Sequence, residues 1–226
     1  MTRTNHDHTS IPGEPTWDIA LLFPAQGAWS EDEYLALDAG RLVEFDNGHV
    51  EVLPTPSRSH QLLVFFFAKL LEAFLLRAFP GAIVMIAPHP VRLWAVKFRE
   101  PDVLVLLPEH AGRSREEYCE QPDLVVEVVS PDHRKHDWDI KRREYAQAGI
   151  PEYWIVDPRA KTVTVLKLSG KSYRVHGEYG SGATTESALL AGFQVNVNDI
   201  WRAAGGASPA ICTASASGSP IARALI

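Results

Sequence analysis

Hydrophobic and polar positions alternate in short runs along most of the chain, interrupted by one long apolar segment and one charged segment. Leu42–Asp46 and His49–Leu53 flank Asn47-Gly48. A two-residue hairpin turn needs φ > 0 at both central positions, so this pair predicts a β-hairpin. A helix is predicted to start at a Ser57 or Ser59 cap and run to about Ala78, with Pro80-Gly81 stopping it. Its stretch L-L-V-F-F-F-A-K-L-L-E-A-F-L-L is apolar nearly all round, the pattern of a largely buried helix. Short strands are predicted at Ala82–Ala87, Val91–Val96, Asp102–Leu107 and Leu124–Val129. A charged helix from about Asp137 to Ala148 closes at Gly149. Strands resume at Glu152–Val156, Thr162–Leu168 and Ser172–His176, before a short element near Asp199–Ala203. A helix, a run of strands, a second helix and more strands indicate an α/β (α+β) domain around a mixed sheet.

Residues 1–28 and 204–226 lack such periodicity and read as weakly ordered tails, the second small, low-complexity and almost uncharged. The domain is expected over 29–203. With 226 residues, 46% hydrophobic and 22% charged, the composition is that of a globular chain. A chain of this size buries about 70% of its unfolded surface without staples. Two cysteines, Cys119 and Cys212, with no CxxC pair, argue against a disulfide framework and a structural zinc site and fit a cytoplasmic location. The first residues lack the apolar stretch of a signal peptide. The longest apolar run, Leu62–Ala68, falls well short of the ~20 residues that span a bilayer, so no membrane association is expected. The formal charge is −6, opposite in sign to proteins that coat nucleic acid through bulk electrostatics.

Three carboxylates sit against the apolar pattern. In L-V-V-E-V-V, Glu127 lies in a strand apolar on both faces, which places the strand centrally and gives the carboxylate nowhere wet to point. Such a group must be paired, protonated or metal-bound. Asp102 opens another apolar strand, P-D-V-L-V-L-L, where closing a turn is the plainer role. In the hairpin, a two-residue loop sets Glu44 opposite Glu51, with Val43, Phe45, Val50 and Val52 on the dry face. Like charges directly across a ladder repel, so Glu51 is expected in solvent and Glu44 toward a cation. Residues 132–143 hold five Arg/Lys against three Asp. On this helix Lys141 shares a face with Asp137, Tyr145 and Ala148, within reach of the end of the Glu127 strand.

Two carboxylates on neighbouring strands suit a hard cation such as Mg²⁺, which keeps several waters. The ion lowers the pKa of a bound water and neutralises charge developing on a phosphoryl group. A lysine beside it can orient that water or hold the phosphate. This is the apparatus of metal-assisted phosphodiester hydrolysis.

The segments E-P-D-V-L-V-L, P-D-L-V-V-E-V-V-S-P and D-W-D-I-K-R-R-E-Y-A-Q-A-G-I-P-E-Y-W-I-V-D-P resemble the Uma-type restriction endonuclease family of the PD-(D/E)xK nuclease superfamily. The E-F-D-N-G hairpin and the P-S-R-S-H start of the first helix resemble it too, and the match spans roughly residues 30–203. The resemblance implies a restriction-endonuclease-like mixed central β-sheet flanked by helices, with an N-terminal β-hairpin. It implies that Asp102 and Glu127 are the first and second acids and hold Mg²⁺, or Mn²⁺ in its place. The superfamily lysine is expected two residues after the second acid. Val129 stands there, so the role passes to Lys141 on the following helix. By the same analogy the Val128 carbonyl is a further ligand, Glu44 an outer metal ligand and His60 a residue lining the site. Tyr145, one turn beyond Lys141, either helps to position it or serves packing. The strand E-Y-W-I-V-D-P is read as architecture.

The expected function is thus a Mg²⁺-dependent DNA endonuclease, with DNA as partner and a homodimer favoured if both strands of a duplex are cut. Two readings compete: a catalytically inactive nuclease-fold binding or regulatory module, and a metal-dependent hydrolase of another substrate.

Overall fold

The computed structural model of the chain describes residues 23–37, 42–130 and 136–206. Most of both expected tails, and residues 131–135 of the basic segment, therefore lie outside the described residues.

Helix α1 (Glu31–Leu35) begins at a capping box, in which the Ser30 side chain accepts from Glu33 N and the Glu33 carboxylate accepts from Ser30 N. The hairpin forms as predicted from β1 (Val43–Asp46) and β2 (His49–Val52), paired Val43↔Val52 through Asp46↔His49. Asn47 and Gly48 take φ of 47° and 80°. A Cβ on Gly48 would meet the Gly27 carbonyl oxygen at 2.7 Å, so this turn needs glycine for space as well as for φ. One expectation for the hairpin fails. Val52 is 55% exposed, because β2 is an edge strand whose outer end no element among the described residues covers.

Helix α2 (Arg58–Ala78) is capped by the Ser57 hydroxyl, which accepts from His60 N. It is buried along one stripe only: Leu63, Val64, Phe66, Phe67, Leu71 and Leu75. Phe65 and Leu76, expected inside, are 59% and 70% exposed, because the helix lies across one face of a sheet and its far side stays open.

The remaining elements are β3 (Ile83–Ile86), β4 (Val91–Trp94), β5 (Lys97–Arg99), β6 (Val103–Leu106), a 3₁₀ turn (Pro108–Arg113), β7 (Cys119–Glu120) and β8 (Leu124–Val128). A π turn (His136–Lys141) then leads into α3 (Arg142–Gln147). After it come β9 (Glu152–Asp157), β10 (Thr162–Ser169), β11 (Ser172–Tyr179), β12 (Thr184–Glu186), β13 (Gln194–Asn196) and α4 (Val197–Ala204). The main sheet runs β11-β10-β9-β8-β6-β3, with β8 and β9 parallel and the other pairs antiparallel. The smaller sheet runs β2-β1-β5-β4-β7.

Side chains alternate across the main sheet as period 2 requires. Val103, Val105, Val126, Trp154 and Val156 face α2 and α4. Leu104, Leu106, Val125, Tyr153 and Ile155 face the side that carries Tyr145 and Ala146 of α3. The strand β8 is central, as its two apolar faces predicted, and β9 is buried throughout. The predicted strand Val91–Val96 breaks near Val96, whose φ is 59°, and turns back as β5.

Candidate active site

Asp102 immediately precedes β6, and Glu127 lies near the end of β8. The antiparallel register ends at the pair Val103 and Val126, so Asp102, in the bend before β6, comes beside Glu127. Glu127 points to the face covered by α3, where Tyr145 and Lys141 meet it. Both carboxylates are buried, at 6% and 4% exposure.

The two acids are held differently. Asp102 Oδ2 accepts from the Val128 N–H at 2.7 Å, and Oδ1 lies 2.8 Å from His60 Nε2 in the first turn of α2. Glu127 Oε1 accepts from Lys141 Nζ at 2.8 Å and from the Tyr145 hydroxyl at 2.6 Å. Lys141 closes the π turn and Tyr145 follows four residues later on α3, so both reach the same oxygen. Burial, and then the Glu127 charge, push the Tyr145 hydroxyl well above its ordinary pKa, so it stays a neutral donor.

Glu44 enters from the hairpin with its carboxylate fully buried. Strands β1 and β5 pair Phe45 with Phe98 and Asp46 with Lys97, and the next step sets Glu44 beside Arg99. The phenylalanines pack beneath with Tyr34 and Trp29, while the four charges share the other face. Arg99 NH1 donates to Glu44 Oε2 at 2.7 Å, and Lys141 Nζ stands 3.1 Å from Glu44 Oε1. Arg99 also grips Glu144 of α3 with two bonds, Nε to Oε2 at 2.7 Å and NH2 to Oε1 at 3.0 Å. Lys97 Nζ lies 2.7 Å from Glu144 Oε1 and 2.6 Å from Asp46 Oδ2. Asp46, Lys97, Glu144, Arg99, Glu44, Lys141 and Glu127 thus form a line of alternating charge. Burial raises the Glu144 carboxyl, but its bonds to Arg99 and Lys97 outweigh this and hold it below its ordinary pKa. Burial likewise opposes the Arg99 charge, yet Glu144 and Glu44 drive its pKa up. Glu100 behaves otherwise. Burial pushes its carboxyl up to about 7, although the Val43 N–H donates to it at 3.1 Å.

Of the expected residues, His60 meets Asp102, while Lys141 joins Glu127 to Glu44 and Tyr145 donates to Glu127. The β6–β8 register brings these two groups side by side. Glu44 faces cations, as the hairpin pairing predicted, and those cations are Arg99 and Lys141. Arg99, Lys97, Glu144 and Glu100 are further members that the sequence pattern does not single out. The signal was present in K-F-R, where Lys97 and Arg99 flank Phe98 and so share one strand face.

A cleft of about 420 Å³ between the hairpin and the π turn–α3 segment leads down to Glu44 and Arg99. Of its charged lining residues, Glu44, Asp46 and Glu144 are paired with Arg99, Lys97 and Lys141, and Glu51 adds a further carboxylate.

The donor set fits a hard divalent ion. Asp102, just before β6, and Glu127, in β8, supply carboxylate oxygens from neighbouring chain segments, and Mg²⁺ needs only one or two carboxylates beside its waters. Among the described residues, no group of three or more His, Cys, Asp and Glu side chains is gathered for an ion. In this arrangement Lys141 and Tyr145 occupy the Glu127 oxygen.

A family model described as "Putative restriction endonuclease", Uma2, matches residues 31–198. The chain belongs to the Uma2 family. That span takes in the hairpin, α2, the Asp102 and Glu127 strands and α3. Among solved structures, the chain resembles a nuclease of the DUF820 family from Anabaena variabilis, titled "putative", with a TM-score of 0.64 and 16% identity. The match covers 80% of this chain and 99% of that one, and at this identity it bears on the fold, which is restriction-endonuclease-like. Comparison with curated proteins returns no match. Among the described residues, no helix is long and apolar enough to cross a membrane.

Proposed function

We propose that this member of a nuclease family is a Mg²⁺-dependent DNA endonuclease, with Mn²⁺ able to replace Mg²⁺. The observation that carries the reading is the placement of Asp102 and Glu127. Both are buried at neighbouring strand ends, Asp102 one residue beyond the Val103↔Val126 pair and Glu127 one residue after it, with an ammonium 2.8 Å from the second. Asp102 and Glu127 hold the ion, and the Val128 carbonyl is a further oxygen beside them. The ion supplies charge neutralisation at the scissile phosphate and a water of lowered pKa. Lys141 orients the attacking water or holds the phosphate as a point charge. His60 fixes the Asp102 carboxylate through Oδ1, which leaves its orientation set before any ion arrives. Tyr145 does the same for Glu127. The chain's formal charge of −6 opposes a bare phosphate backbone, so binding of DNA depends on the ion.

The test is incubation of the full chain with plasmid, linear duplex and single-stranded DNA in Mg²⁺, Mn²⁺ or EDTA. Asp102→Ala and Glu127→Ala are expected to abolish metal-dependent cleavage while keeping the folded circular-dichroism spectrum. Cleavage retained by either variant sinks the assignment.

One observation favours a non-catalytic module of the same fold. Glu44 and Glu127 are already neutralised by Arg99 and Lys141, as in a purely structural network. That reading requires that Mn²⁺ fail to bind in a manner dependent on Asp102 and Glu127.

A further inference from the structure

Lys141 stands where two carboxylates of the site meet. Its Nζ lies 2.8 Å from Glu127 Oε1 and 3.1 Å from Glu44 Oε1. Glu127 is the acid that an ion at this site needs, and an ammonium and a divalent cation repel too strongly to share one oxygen in a buried setting. An incoming ion must therefore move Lys141 off Glu127.

Glu44 is placed to receive it. Its Oε2 is occupied by Arg99 NH1 at 2.7 Å, and Arg99 is itself anchored by the two bonds to Glu144. The Glu100 N–H points to the other oxygen, at 3.5 Å from Oε1. Fully buried and tied to a fixed guanidinium, this carboxylate cannot swing toward the sheet without abandoning Arg99. Leaving that cation unpaired in the interior is strongly unfavourable.

We propose that Glu44 is a positioning residue that acts on the ion site only through Lys141. With no ion, Lys141 bridges Glu127 and Glu44; when an ion takes Glu127, Lys141 stays on Glu44, which Arg99 holds in place. The inference rests on the metal-dependent reading above. It gives Glu44 a role other than the outer ligand that the family resemblance implied. Lys141 competes with the ion for Glu127, and Glu44 weakens that competition by drawing the ammonium away.

A double-mutant cycle on Mn²⁺ affinity tests this without recourse to activity. Mn²⁺ is titrated calorimetrically into the full chain as wild type, Lys141→Met, Glu44→Gln and the double variant, with Asp102→Asn and Glu127→Gln as controls. Lys141→Met is expected to bind Mn²⁺ about tenfold more tightly than wild type. Glu44→Gln is expected to bind about tenfold more weakly in wild type, a factor that falls below about threefold once Lys141 is gone. An undiminished Glu44→Gln effect in the Lys141→Met background makes Glu44 a ligand and overturns the proposal. So does Lys141→Met binding no tighter than wild type. If wild type shows no Mn²⁺ binding that Glu127→Gln removes, the metal-dependent reading fails and the proposal with it, a result distinct from the other two. Should Lys141→Met not fold, Lys141→Gln runs the same cycle, since it removes the charge that competes with the ion while keeping a polar end to the side chain.

Discussion

Arg99→Met is the substitution that strains the charge network most directly. Arg99 is 3% exposed and makes three bonds, two to Glu144 and one to Glu44. Methionine fills most of the space but leaves both carboxylates short of a cation. Removing one partner from a buried ion pair costs about 3–5 kcal/mol. Here Lys97 still holds Glu144 at 2.7 Å and Lys141 still holds Glu44 at 3.1 Å, which places the loss toward the lower end of that range. A loss of about 3 kcal/mol lowers Tm by about 6–12 °C in a domain of this size. The loss also carries a pH signature. The Glu144 carboxyl is held below its ordinary 4.5 in the folded chain. Its contribution is present above that unfolded value and disappears as pH falls through the folded one. The variant has already forfeited the share that Arg99 supplies, while Lys97 keeps the rest. The gap between wild type and Arg99→Met is therefore widest at neutral pH and narrows on acidification below about 4.5. Urea unfolding, followed by tryptophan fluorescence at pH 7 and at pH 4, measures both. A difference under about 1 kcal/mol at pH 7, or one that does not shrink at pH 4, refutes the reasoning.

Two further substitutions test other parts of the interior. Glu100 has its pKa raised to about 7, so the folded chain binds its proton where the unfolded chain has released it. Its stabilising effect is complete below about 4.5 and is lost as pH rises to about 7. Glu100→Gln should therefore gain on wild type across that interval, by an amount of the order of 3 kcal/mol in chemical denaturation. No change in the difference between pH 5 and pH 8 would contradict the raised value. Glu152 is fully buried and accepts from Trp154 Nε1 at 2.6 Å, Ser187 Oγ at 2.6 Å and Leu189 N at 2.7 Å. Glu152→Ala strands these donors at about 1–3 kcal/mol each. It should speed amide exchange at residues 187–190, read by mass spectrometry, and unchanged exchange there would count against a clasp role.

What could be read from the sequence was what is decided locally. Asn47-Gly48 sets its hairpin because two adjacent residues must both take positive φ, and the strand register follows from the turn. Ser57, whose hydroxyl accepts from His60 N, and Pro80-Gly81, which cannot continue a helix, bracket α2 just as locally. Glu127 stood out because four valines surround it, and only a compensated carboxylate survives in such a strand. The misses are tertiary. Lys97 and Arg99 look like surface charges in K-F-R-E, and only the approach of β1 and α3 makes their burial favourable. Glu144 reads as one acid on a charged helix until Arg99 arrives beside it. Phe65, Leu76 and Val52 err in the other direction, since an apolar residue is covered only if something is there to cover it.

The antiparallel pairing of β6 with β8 has a consequence for how the molecule can be altered. Asp102 and Glu127 stand at one end of these strands, while the chain that joins them, residues 107–123, turns at the other. There Asp123 accepts from Leu107 N at 2.7 Å and sits 2.7 Å from His110 Nδ1, closing the base of the connection. Beyond that clasp, Arg115, Glu116 and Glu117 are exposed. A domain grafted at these residues would enter the chain at an exposed point of this connection, leaving the spacing of the acids to the two strands.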